Sequence, residues 1–462
     1  MELSFNGLAE RAEEFFSGLA RDQKNDGDFD VLFREETYLR VREATQSPKT
    51  DDETKAWLLR FLEFLRWARI YAASADARRT REAQLERPIL SSLRTMTLRE
   101  GLERIASDAS RERRHALERD ANDALWERQG AWAQVVEANI RTADTTRSRT
   151  IEPSTAVGTN GEPKPVGWPT AAEKLLLATE DAYRDLLGYA LKRIDPLLKP
   201  STARLHDLQH LGTAPHLMQY FREEELRGAV DRTFDALQLP STRLVLHDGP
   251  ARVAAVRLPD EVHLTVDRRG GLDACEQLLA DFGEAQLWSR GNSRLIEPVL
   301  VAGVRAFFSA FTLEAGWLKR MMLIPAALAK EAARHNAFIA LTRLRFAAAL
   351  LPYAIELRTR GPRKEMAEEY EDRLTRALMV GIPRGGFLTG VDDPAPLALR
   401  AAVVAAGFQD EVRDKFDEDY FRNPGLGTWF SGLAARAGVL STVPDAAHLV
   451  RVGQRLVRLM GA

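Results

Sequence analysis

Two constellations in this 462-residue chain carry residue types that do chemistry. In His206-Asp207-Leu208-Gln209-His210, two imidazoles stand four residues apart around an acidic residue. On a helix they would share one face and could grip a metal ion, with the carboxylate in the place of a general base. Gly212 and Pro215 follow at once, which leaves room for only a short turn. The segment is expected to be a turn in which His206 or Asp207 satisfies backbone groups, with a metal site on His206 and His210 as the alternative. Asp281 and Glu284, three apart, put two carboxylates on one helix face, where a hard cation finds oxygen donors. Two are too few to hold a cation alone, and a solvated acidic pair is expected. Cys275 is the single cysteine; it excludes an intramolecular disulfide and reads as a small buried apolar residue.

Most elements that position these residues read as helix. Phe5, Leu8, Ala12, Phe15, Phe16 and Leu19 recur at three- and four-residue spacing, which predicts an amphipathic opening helix. Asp51-Asp52 supplies a cap for a second, with Trp57, Leu58, Phe61, Phe64, Leu65 and Ala68 inward. The stretch 98–140 is charged and helical, and its Arg111, Arg113, Arg114 and Arg119 are expected on a solvated face. Thr, Ser, Gly, Pro and Asn crowd residues 141–170, read as a loop between lobes. Helix resumes at 171–194 and 221–238. The convincing strands lie at 243–247 and 252–267, so the sheet is small. From 293 to 460 the pattern is helical, broken at Gly361-Pro362, at 382–397 and at Asn423-Pro424-Gly425. Trp288, Phe282, Phe307, Phe308 and Phe311 fall at helical spacings that suit a core. There is no internal repeat.

Residues 262–291, VHLTVDRRGGLDACEQLLADFGEAQLWSRG, combine an alternating strand, a Gly270-Gly271 turn and an apolar helix from Cys275 through Leu278, Leu279 and Phe282. A zincin carries His-Glu-x-x-His on such a helix, two ligands and a general base. The frame here is Ala280-Asp281-Phe282-Gly283-Glu284. This segment resembles the M3 family of zinc oligopeptidases, whose helix reads His-Glu-x-Gly-His, and Phe282-Gly283 keeps its x-Gly. The likeness extends through 251–271, RERRHALERD (111–120), EDAYRDLLGYALKRI (180–194), LHDLQHLGTAPHL (205–217) and KFDEDYFRNPGLGTWF (415–430), from about residue 90 to the end. It implies a mainly α, M3-like gluzincin fold: helical lobes around a cleft with a small antiparallel β-sheet. Aligning VLVAGVRAFFSAF (299–311) with the helix of the third ligand, a glutamate, puts Gly303 there. The resemblance therefore implies vestigial positions Ala280, Asp281, Glu284 and Gly303, which should line the floor of the cleft. It also implies peptide capture along an edge strand, Glu261–Asp267. The family's oxyanion tyrosine or histidine has no counterpart in 391–408, which holds neither.

Catalytic zinc takes three protein donors, and Ala280 and Gly303 offer none. The expected protein is accordingly an inactive pseudopeptidase without metal or other cofactor, acting as a peptide- or protein-binding, regulatory or structural subunit. The alternative is a metal-dependent hydrolase with a non-standard site. The expected organisation is an N-terminal helical lobe, 1–150, the 141–170 loop, and a peptidase-like lobe, 171–462, holding the sheet at about 243–267 and the vestigial helix at 273–288. Lys+Arg 65 against Asp+Glu 67 leaves a net charge of −2, which argues against nucleic-acid capture. The opening MELSFNGLAERAEEFF lacks a basic region before an apolar run, and FAAALLPYA (346–354) falls short of a membrane span. A cytoplasmic protein without membrane contact is expected.

Overall fold

The computed structural model describes residues 4–461 apart from 21–28, 52–53, 56, 63, 66–73, 92–93, 151–166, 241–243, 250, 268, 292–295, 390–393 and 436–444. In chain order, α1 (Phe5–Ala20), α2 (Asp30–Phe33), α3 (Glu35–Gln46) and α4 (Ala75–Glu86) lead to a hairpin, β1 (Pro88–Leu90) and β2 (Thr95–Thr97). Then come α5 (Leu98–Ser107), α6 (Arg111–Glu127), α7 (Gln129–Thr150), α8 (Trp168–Ala178), α9 (Glu180–Leu191), α10 (Leu205–Gly212) and α11 (Glu223–Ala236). Strands β3 (Leu244–Asp248), β4 (Arg252–Arg257) and β5 (Glu261–Val266) precede α12 (Leu272–Arg290) and α13 (Pro298–Ser309). The chain closes with α14 (Ala315–Arg320), α15 (Ala326–Arg360), α16 (Met366–Leu378), α17 (Pro394–Phe416), α18 (Pro424–Ala435) and α19 (Leu449–Met460).

Local chemistry sets many of these boundaries. Thr97 caps α5 by accepting from the Glu100 amide at 3.1 Å, and Ser110 caps α6 by accepting from Arg113 at 3.3 Å. Asp51 accepts from the Thr54 amide at 2.8 Å, the cap its sequence suggested; Asp52 and Ala68 lie outside the described residues. Gly361, with φ 75°, ends α15 in a conformation that favours glycine. The helix expected over 171–194 is two, α8 and α9, divided at Thr179. The first ten residues of the loop read at 141–170 are helical and complete α7, and 151–166 lie outside the described residues. Polar composition alone did not separate the end of a helix from a loop.

Apolar side chains gather in two clusters. One holds Leu8, Phe15, Tyr38, Val41, Phe61 and their neighbours within 8–65. The other runs from Ile89 to Met460, so the helices of 98–140 share one core with the C-terminal half. Among the described residues α15 is the only helix long and apolar enough to cross a membrane, and 72% of that apolar window is buried within the molecule. It carries His335, Asn336 and Arg345 inward, as a central core helix does.

The three-stranded sheet has the order β3-β5-β4. A tight turn joins β4 to β5, which makes them antiparallel; β3 then lies on the far side of β5 and runs parallel to it. The sheet is therefore mixed, not wholly antiparallel. Strand β5, taken from the resemblance as a free edge for peptide, is the central strand. Its main chain is paired on both sides, so edge capture there is ruled out.

Candidate functional site

Helix α12 begins where Gly271, with φ 113°, turns the chain out of the sheet; its amide donates to the Phe221 carbonyl at 2.8 Å. A Cβ on Gly270 would come within 2.8 Å of that same carbonyl oxygen, so the double glycine is needed for the close approach. Helix α12 is buried on most of its circumference, its own Cys275, Leu279, Ala280, Asp281 and Phe282 included. Neighbouring α13 crosses it closely. A Cβ on Gly283 would stand 2.2 Å from Cδ2 of Phe308, so the glycine lets the Phe308 ring lie on α12.

Asp281 and Glu284 are not a solvated pair. Asp281 is 3% exposed, and its Oδ1 lies 2.7 Å from Nη1 of Arg305 on α13. The same Nη1 donates to Oε2 of Glu284. Gln277 donates to both Asp281 oxygens at 2.9 and 3.1 Å, and the Trp288 indole donates to Oε1 of Glu284 at 3.1 Å. Burial raises the Asp281 pKa, an effect that Arg305 and Gln277 only partly offset. Burial also works against the Arg305 charge, but Glu284 and Asp281 outweigh it and raise its pKa. One turn earlier, Glu276 pairs with Arg343 of α15 and accepts from Thr312 at 3.3 Å.

Ala280 is buried and brings no donor. Gly303 is also buried, and the three atoms nearest a Cβ there all belong to Val404 of α17, the closest at 2.4 Å. That side of α13 faces α17, and Arg305, two residues on, faces α12. Arg305 was missed in sequence although a signal existed: it is the lone charge in the apolar stretch VLVAGVRAFF. A depression of about 140 Å³ beside the first half of α12 is lined by Glu223, Arg227, Asp248, Val266 and Leu278 and includes none of 280, 281, 284 or 303. Ligand pockets usually enclose about 300–1,000 Å³.

The histidine constellation is a structural node. His206 and Asp207 are wholly buried, and His210 is nearly so. Asp207 accepts from Nε and Nη2 of Arg111 at 3.0 and 3.1 Å and from the Arg204 amide at 3.1 Å, with His206 Nδ1 3.2 Å away. Burial opposes the Asp207 charge, yet His206 and Arg111 outweigh it and hold this carboxyl well below the usual range. His210 Nδ1 meets the Ala106 carbonyl at 2.9 Å, and Glu118 accepts from the His206 amide at 2.9 Å. The segment is a helix, as a metal site would need, but Asp207, His210 and the His206 amide join α10 to α5 and α6. Arg114, expected on a solvated face with Arg111, is fully buried against this cluster, its Nη2 3.6 Å from Asp207. A charge run read from sequence does not reveal a buried acid 93 positions away.

No protein-family model matches the chain, and no curated protein sequence matches it. Solved structures do. A Pyrococcus furiosus carboxypeptidase superposes with a TM-score of 0.56 at 12% identity, covering 99% of each chain. The M32 carboxypeptidase of Deinococcus radiodurans R1 gives 0.55 at 11%, again over 99% of both. PZ peptidase A gives 0.61 at 11%, over 97% of this chain and 86% of its own. The fold is that of these metallopeptidases. A catalytic zinc at the frame of α12 does not fit the residues present: two positions lack donor atoms, and the two carboxylates are held by an arginine.

Proposed function

We propose that the chain is a non-hydrolytic member of the metallopeptidase fold, a cytoplasmic pseudopeptidase that works as a protein-binding or structural subunit. The observation that supports this reading is the seat of Arg305. Its guanidinium supplies, as part of the chain, a positive charge to both carboxylates of the helix on which a zincin mounts its metal. In a zincin the metal activates the attacking water, and without a Lewis acid that water keeps a pKa near its bulk value of about 15.7. The burial of Ala280 and Asp281 favours a partner bound on the outer surface over a peptide held in a cleft.

Cross-linking the full chain in its source cells, followed by affinity capture, tests the partner role. A partner recovered in fixed ratio and lost on surface substitution supports it. A chain that is monomeric at native concentration and cross-links to nothing contradicts it.

A further inference from the structure

Outside the zincin-like frame, one cluster of metal-ligating side chains stands on the sheet. The parallel register of β3 and β5 sets Val245 beside His263 and His247 beside Thr265. His247 and His263 therefore project from the same face, opposite buried Val262 and Leu264. His247 is exposed and His263 half-buried. Their rings lie 5.0 Å apart, with His247 Nε2 3.1 Å from His263 Nδ1. On its far side, His263 Nε2 is 3.1 Å from Oε1 of Glu261.

These contacts select a tautomer. A carboxylate only accepts, so His263 donates from Nε2 to Glu261 and keeps a lone pair on Nδ1. That lone pair faces His247 Nε2, which can carry a proton or, in the other tautomer of His247, a second lone pair. A carboxylate behind the outer nitrogen of a ligating histidine is the arrangement that orients imidazoles and strengthens their basicity in metal sites. Two nitrogens bound tetrahedrally to one ion at about 2.0–2.1 Å are separated by about 3.3 Å, close to the spacing already present.

We propose that His247 and His263, oriented by Glu261, form a surface site for a late first-row divalent cation. The metal would replace the shared proton between the rings, with water completing the coordination shell. Imidazole donors favour copper, nickel or zinc over magnesium or calcium, with copper bound most tightly. The chain has eight histidines, and among the described residues this is the pair whose ring nitrogens meet. The site is separate from the frame of α12, so it bears on neither the loss nor the presence of hydrolysis there.

The test is titration of the chelator-treated full chain with Cu²⁺, read by electron paramagnetic resonance. One copper per chain with couplings to two imidazole nitrogens is expected. His263→Ala and His247→Ala should each abolish the two-nitrogen signal, and His448→Ala, at an exposed histidine elsewhere, should leave it intact. Glu261→Gln should weaken binding by about 10–100-fold and keep both couplings. A two-nitrogen signal that survives the double change at 247 and 263, or no copper bound by the unaltered chain, would overturn the assignment.

Discussion

Arg305 reaches across from α13 to place its Nη1 2.7 Å from Oδ1 of Asp281, a carboxylate almost wholly withdrawn from water. Removing one partner of such a pair leaves an uncompensated buried charge, which costs far more than the intact pair contributes. Arg305→Ala is therefore expected to lower stability by about 3 kcal/mol at neutral pH in chemical denaturation. Adding Asp281→Asn to that variant should recover part of the loss. Equal stability of Arg305→Ala and the unaltered chain would show that the arginine does not hold these carboxylates.

Gly303 should resist any side chain, because a Cβ there would enter Val404. Overpacking of this kind costs about 1–3 kcal/mol. Gly303→Ala is expected to fall in that range, and Val404→Ala in the same chain should return much of it. The coupling between the two positions is the quantity to measure. Additive effects would mean that α13 and α17 do not meet at this point.

His335 gives the fold a defined acid sensitivity. Burial, and then the neighbouring His216 ring at 4.8 Å, push its pKa down to about 4, and its Nε2 donates to the Leu211 carbonyl at 2.9 Å. The folded chain keeps this imidazole neutral, whereas the unfolded chain protonates it near 6.5. Protons thus favour unfolding: the contribution is complete above about pH 6.5 and is lost as the pH falls toward 4. The gap corresponds to roughly 3 kcal/mol. His335→Gln, whose amide can still donate to Leu211, should show a shallower loss of stability across that window. Parallel curves for the two proteins would contradict the assignment.

Helix periodicity revealed much of the fold: Leu8, Ala12 and Phe15, then Leu58, Phe61 and Leu65, and on α12 Cys275, Leu278, Leu279 and Phe282 are buried where their spacing put them. The strand–turn–helix unit at 262–291 was legible for the same reason, and so was the absence of donors at Ala280 and Gly303. What sequence did not reveal were pairings across long separations. Asp281 and Glu284 read as solvated because their counter-charge sits on the next helix. Arg114 read as solvated because Asp207 lies beyond three intervening helices. The central place of β5 was hidden too, since alternation shows which residues face the core and not which strand lies beside which.

Hydrolysis is the most direct test. The purified full chain, incubated with a mixed peptide library with and without added Zn²⁺ and read by mass spectrometry, is expected to produce no cleavage above the buffer control under either condition. Zinc-dependent, chelator-sensitive cleavage that disappears in Asp281→Ala or Glu284→Ala would contradict the account, because it would mean that these carboxylates serve a metal and not Arg305.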